Sequence, residues 1–223
     1  EAMRADQRIF LTAQKDLSVD DPKKNDLYAV GTVAIVKQIL RMPGDNMRIL
    51  VEGKFRAELV DCIQSEPYLF ARVEEIEVPA YNKSHSRVQA LLRQALLRQA
   101  HGAYEQFVEL AAKNLQDGLL QVLSSEDPGF VADFIAQNSS IVYQDKQKIL
   151  EQPHPVKRLE LTVKLLAKEL EILQLENEIS EKVQQNVNKG QRDYYLREQM
   201  HVIREELGED EEEFDDDDIK EYT

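Results

Sequence analysis

The 223-residue sequence has a single cysteine, Cys62, so no internal disulfide can brace its fold, which suits a reducing compartment. In the alternating stretch Glu58-Leu59-Val60-Asp61-Cys62-Ile63 this cysteine reads as a small buried apolar residue, not a reactive thiol. No run approaches the ~20 apolar residues that cross a bilayer as a helix, and the start carries no signal-peptide pattern. Cations are scarce as well: 28 Lys and Arg stand against 42 Asp and Glu, for a net charge of −14. Without a cationic excess to displace phosphate counterions, any nucleic-acid binding should be weak and lost at modest salt.

Catalytic motifs are equally scarce. There is no G-x-x-x-x-G-K-[ST] loop to cradle a nucleotide phosphate and no G-x-S-x-G elbow to present a serine. His85, His101, His154 and His201 stand far apart, without an H-E-x-x-H pair or a cysteine partner, which speaks against a metal site. Glu74, Glu75 and Glu77 are an acidic cluster, but strand alternation makes them a solvated face, with Ile76 and Val78 pointing inward. No residue here is expected to act catalytically.

Most of the acidity is local. Residues 205–223 hold twelve acids against Lys220 alone, a balance of −11, so residues 1–204 account for only −3. Such a run repels itself and has little to bury, so 208–223 reads as a solvated acidic linker.

The rest is organised by changes of hydrophobic period. Residues 1–7 read as the end of a helix and 9–13 as a buried strand, followed by a polar loop from Gln14 to Asp26. β-Branched residues over 32–40, then Pro43-Gly44-Asp45-Asn46 and an apolar stretch over 47–51, predict a hairpin. Two more strands are expected over 56–63 and 69–78, separated by Glu66-Pro67. Together these make a small sheet or partly closed barrel over 1–80. From Arg87 the period turns helical: Val88, Leu91, Leu92, Ala95 and Leu96, then Tyr104, Phe107, Val108 and Ala111. Residues 81–152 therefore read as a helical bundle, with Asp127 capping a helix whose first turn holds Pro128. The class is α+β.

Pro153-His154-Pro155 opens the last element, proline-free to Leu207 and about 78 Å long if wholly helical. Leu159, Val163, Leu166, Leu170 and Leu173 step by four and three, after which the stripe moves to Leu175, Ile179, Val183 and Val187. Gly190 is either a tolerated weak point or a bend in this helix over 153–207. Beyond it, Tyr194, Tyr195, Leu196, Met200, Ile203 and Leu207 form an apolar set with no bundle residues left nearby to cover it. Full burial of such a side chain is worth about 1.5–3 kcal/mol, so self-association into a dimer or higher oligomer is expected. The adjacent acids should oppose it at low salt.

The wording of that distal segment is specific. Gln191-Arg192-Asp193-Tyr194-Tyr195-Leu196-Arg197-Glu198-Gln199-Met200, running on to Glu206-Leu207-Gly208, resembles the signature that ends the N-terminal region of Lon, the ATP-dependent protease family. Asp21-Pro22 leading to Asp26-Leu27-Tyr28-Ala29-Val30-Gly31-Thr32 looks like another Lon segment, as do Ile49-Leu50-Val51-Glu52-Gly53 with Arg56-Ala57. Asp127-Pro128, Ala132-Asp133 and Asp145-Lys146-Gln147 match its helical part in the same order. The family's opening strand is not matched, which suggests a piece trimmed at both ends.

The resemblance implies a PUA-like β domain at 1–80 and a linker at 208–223 that leads to an ATPase module. It further implies a cytoplasmic homohexamer that uses ATP and Mg and a serine–lysine dyad outside these residues. No cofactor is expected within them. What remains is a region for capturing unfolded or damaged proteins and organising the oligomer. Candidate substrate contacts are Met42 and Met47 beside the hairpin turn, and Tyr68, Leu69 and Phe70 after Glu66-Pro67. The competing reading is a stand-alone PUA-like RNA-binding domain with a coiled-coil oligomerisation arm.

Overall fold

The computed structural model describes residues 6–44, 46–64, 68–79, 87–111 and 116–207. The expectations for residues 1–5, Asp45, Glu66-Pro67, 80–86 and the acidic stretch 208–223 lie outside them. The chain divides into one unit of Glu1–Leu173 and a second of Gln174–Thr223.

The first unit begins with β1 (Arg8–Leu11), β2 (Val30–Arg41), β3 (Met47–Gln64) and β4 (Phe70–Glu75), antiparallel in the order β1-β2-β3-β4. Gly44 has φ +83°, the left-handed conformation that the turn after Pro43 requires and that glycine adopts without a Cβ penalty. Gly31 has a different reason. A Cβ there would run into the Leu11 carbonyl and the Phe10 ring, so β1 can cross β2 only where the side chain is absent.

Several sequence expectations need correction. The strands expected over 47–51 and 56–63 are one strand, β3. Glu52-Gly53-Lys54 does not reverse the chain: the register jumps from Ala34↔Gly53 to Val33↔Phe55, leaving Lys54 as the extra residue of a bulge. Against β4 the register shifts between Leu59 and Asp61 and again between Cys62 and Gln64, where Ile63 is the extra residue at 62% exposure and Cys62 is half-buried instead of buried. Phe10 lies on an edge strand and is also only half-buried, while Leu11 is exposed. β4 ends at Glu75, and Val78 points to solvent.

Five helices follow: α1 (Arg87–Leu110), α2 (Gln116–Ser124), α3 (Pro128–Asn138), α4 (Tyr143–Glu151) and α5 (Pro155–Leu207). Asp127 caps α3 by accepting a hydrogen bond from the Gly129 N–H at 3.0 Å, with Pro128 in the first turn where its missing N–H costs nothing. The buried face of α1 is Leu97, Ala100, Tyr104 and Phe107. Leu91 and Leu92, expected inside, are exposed, because the core face of α1 begins only near Leu97. Val122, Val131, Ala132 and Ile135 meet this face from α2 and α3, and Leu159, Val163, Leu166 and Leu170 close it from α5. Leu173 packs at its margin.

The sheet meets the helices through polar contacts. Asp133 of α3 takes the Arg56 Nη2 of β3 at 2.6 Å and lies 3.1 Å from the Arg158 Nε of α5, both on its Oδ1. The Arg158 N–H is poorly aligned with that oxygen, so this second contact is Coulombic more than directional. Arg158 instead donates from Nη1 to the Gln152 carbonyl at 3.0 Å, and Arg56 donates from Nε to the Leu150 carbonyl at 3.1 Å. Gln147 of α4 donates to the Val30 carbonyl of β2 at 2.9 Å. Burial works against the charged Arg158 guanidinium and Asp133 works for it.

Asp133→Asn leaves two guanidinium groups facing each other with no anion between them. We expect a loss of about 1–3 kcal/mol in urea unfolding, below the cost of a fully buried pair because Asp133 is partly solvated. An unchanged unfolding midpoint would show that the cluster does not stabilise the unit.

His101 has a different signature. Its Nε2 is buried with no hydrogen-bond partner among the described residues. Burial pushes its pKa below the ordinary 6.5, against a smaller opposing pull from Glu105. The unfolded chain therefore takes the proton more readily, and stability should fall as pH drops below about 6.5. Thermal unfolding of His101→Gln should be flatter than wild type between pH ~7 and ~5, and parallel curves would remove His101 as the cause.

Candidate functional site

β1 and β4 stand at opposite ends of the sheet order, yet both border one groove of about 900 Å³. The sheet is curled far enough for its two edges to share a cavity without pairing. Phe10, Val33, Phe55, Leu59, Cys62 and Val73 contribute from all four strands. Tyr68, Leu69 and Phe70 lie along it at 45%, 50% and 52% exposure, so they are available to a ligand and not consumed by the core. Asp6, Arg8 and Glu75 supply charge of both signs to the lining. Such a surface suits apolar side chains carried on a polar backbone.

Met42 and Met47 are elsewhere. They flank the turn of the ribbon made by the end of β2 and the start of β3, 44% and 65% exposed, and neither lines the groove. Around them Ile39, Leu40, Ile49 and Leu50 are also exposed, and sequence reasoning missed these four. The signal was present: consecutive apolar residues in a strand put one side chain on each face, and a ribbon with no layer on either face exposes both. At the ribbon's root Lys37 and Lys54 hold the Glu52 carboxyl down at about 2, through contacts of 2.7 and 2.6 Å.

A smaller cavity of about 590 Å³ includes Arg93, Asp127, Asp133 and Arg158. Two of its carboxylates are already engaged, since Asp133 faces Arg56 and Arg158 and Asp127 caps α3. Among the described residues no group of three His, Cys, Asp or Glu could hold a metal ion, and no helix is long and apolar enough to cross a membrane.

In the second unit every described residue is exposed. α5 passes through Gly190 as helix, which fixes where the proposed self-association residues point. At about 100° per residue, Leu196, Met200, Ile203 and Leu207 share one face. Leu175, Ile179, Val183 and Val187 share another, roughly 110° away. Tyr194 falls with this second row, and Tyr195 with neither, its hydroxyl accepting from Gln199 at 3.1 Å. The six residues are therefore not one surface.

Comparison with known proteins places the first unit. The family model described as the ATP-dependent protease La (LON) substrate-binding domain matches residues 1–168. Lon protease of Syntrophomonas wolfei is 39% identical over 170 residues, 76% of this chain and 20% of that protein. Lon protease 1 of Thermus thermophilus is 37% identical over 172 residues, 76% of this chain and 21% of its own length. The N-terminal domain of Mycobacterium avium complex Lon protease shares the fold with a TM-score of 0.52 at 16% identity, covering 71% of this chain and 90% of that one. The chain spans about a fifth of the length of the curated relatives it matches. The family model stops before residue 190, so the distal segment whose wording first resembled Lon is not part of that match. Three quarters of the chain is, and the chain belongs to the Lon substrate-binding domain family.

Proposed function

We propose that this chain is the substrate-capturing and oligomer-organising region of an ATP-dependent Lon protease that degrades misfolded, damaged and short-lived regulatory proteins in the cytoplasm. ATP and Mg act in an ATPase module, and peptide bonds are cut by a serine–lysine dyad, both outside these residues. The supporting observation is the open apolar groove in a member of a substrate-binding family, with Tyr68, Leu69 and Phe70 exposed along it. Unfolded polypeptides differ from folded ones chiefly in presenting apolar side chains, so a surface of this kind discriminates foldedness without reading sequence closely.

Cys62 makes this testable, because the only thiol in the chain lines the groove. A denatured casein-like protein should slow alkylation of Cys62 by a bulky maleimide, and its folded competitor should not. Equal rates with both, together with equal retention in a crosslinking assay, would end the capture role.

The assembly role rests on the second unit. Leu196, Met200, Ile203 and Leu207 are 46%, 55%, 56% and 68% exposed and step by four, three and four, the spacing of a two-helix seam. A second copy of the chain would cover them, contributing to a homohexamer in the whole protein. Sedimentation should show a concentration-dependent dimer or higher oligomer that grows with ionic strength as the neighbouring acids are screened. Truncation after Gly190, or Leu196→Asp with Ile203→Asp, should return it to monomer with the β domain still folded. A chain that stays monomeric at high concentration and high salt has no such seam.

A further inference from the structure

The β2-β3 ribbon carries more than exposed apolar residues. In its register Arg41 pairs with Met47, Leu40 with Arg48, Ile39 with Ile49 and Gln38 with Leu50. Cross-strand partners share a face, and neighbouring pairs alternate between faces. One face therefore presents Ile39, Met47 and Ile49 with Arg41, while the other presents Leu40 and Leu50, with Met42 next in alternation, beside Arg48. Each face is three exposed apolar side chains and one guanidinium.

Glu52 is held by Lys37 and Lys54, and among the described residues neither Arg41 nor Arg48 makes an ion pair. Among the described residues the ribbon's edges are bare as well: β1 follows β2 only to Arg8↔Ile35 and the Val36 N–H to Gln7 carbonyl bond, and β4 first meets β3 at Ala57↔Glu75. Unpaired strand edges accept another strand.

We propose that this ribbon binds extended apolar segments of unfolded polypeptides that carry acidic side chains, with Arg41 and Arg48 selecting for the acids. The inference rests on the capture role proposed above and adds a charge preference to it. Charge complementarity identifies the occupant. Residues 39–50 carry Arg41 and Arg48 against Asp45 alone, a local excess of one positive charge, whereas residues 1–204 balance to −3, so an acidic segment is drawn to this tip in preference to the rest of that surface. An anionic membrane, the other partner that an apolar and cationic tip could meet, is bound by clusters of about four to eight Lys or Arg, and the tip has two arginines.

The test uses the full chain and three labelled peptides with the same apolar residues, bearing aspartates, lysines or serines between them, read by fluorescence anisotropy. The aspartate peptide should bind about tenfold more tightly than the lysine peptide at low salt, and the advantage should vanish near ~0.5 M salt. R41Q with R48Q should bring the peptides to parity while unfolded casein is still retained. Met47→Ser with Leu50→Ser should weaken all three peptides, and exposure of both residues means that neither double variant should shift the unfolding midpoint. Equal affinity of the wild type for the peptides, or a preference that survives R41Q with R48Q, overturns the charge preference and leaves capture standing. Failure to bind any peptide or unfolded casein removes the capture role itself. Tighter binding to anionic vesicles than to the aspartate peptide, lost in R41Q with R48Q, would reassign the ribbon to a membrane surface.

Discussion

One carboxylate ties the sheet of the first unit to its helices. Asp133 sits in α3 and faces Arg56 from the sheet and Arg158 from α5, while Arg56 continues to the last turn of α4 and Arg158 to the carbonyl of Gln152. A polar joint of this kind is specific in a way an apolar one is not. Charged groups taken out of water must be answered by partners at the right distance, so few alternative dockings of sheet on helices are tolerable. Gly129 belongs to the same constraint, since a Cβ there would meet the Arg158 guanidinium at 2.9 Å. Arg56 and Asp133 lie in two separate stretches whose wording resembled the family, and their contact gives those stretches a shared physical reason.

With the joint made of polar contacts, the apolar surface of the sheet is left available. The helices bury their own core of Leu97, Tyr104, Phe107, Ile135, Leu159 and Leu166 and do not cover the groove. The ribbon beyond Glu52 has no layer on either side among the described residues. Exposed aliphatic and aromatic residues in this density are a liability in a monomer and an asset in a protein that must meet unfolded chains. The two apolar regions differ in kind: the groove carries charge of both signs, whereas the charged side chains described on the ribbon beyond Glu52 are Arg41 and Arg48.

The sequence by itself determined a good deal. The helical period, the Asp127-Pro128 cap and the stripe from Leu159 to Leu170 are local properties, and all three are seen in the structure. The hairpin about Pro43-Gly44 was legible for the same reason, because a turn is decided by the few residues in it. Family membership was legible from short runs of wording spread along the chain. Tertiary structure decided what depends on partners distant in sequence. Glu52-Gly53-Lys54 is a bulge and not a turn because β2 pairs on both sides of it. Leu91 and Leu92 follow the helical period yet are exposed, because the bundle's buried cluster takes up α1 only near Leu97. The groove exists only because the sheet curls β1 towards β4, which no local pattern reports. Exposure of Ile39, Leu40, Ile49 and Leu50 was undecidable from alternation alone, since the same residues would be core if a layer lay over them. Periodicity records which side chains share a face, and only the packed fold settles whether that face is covered.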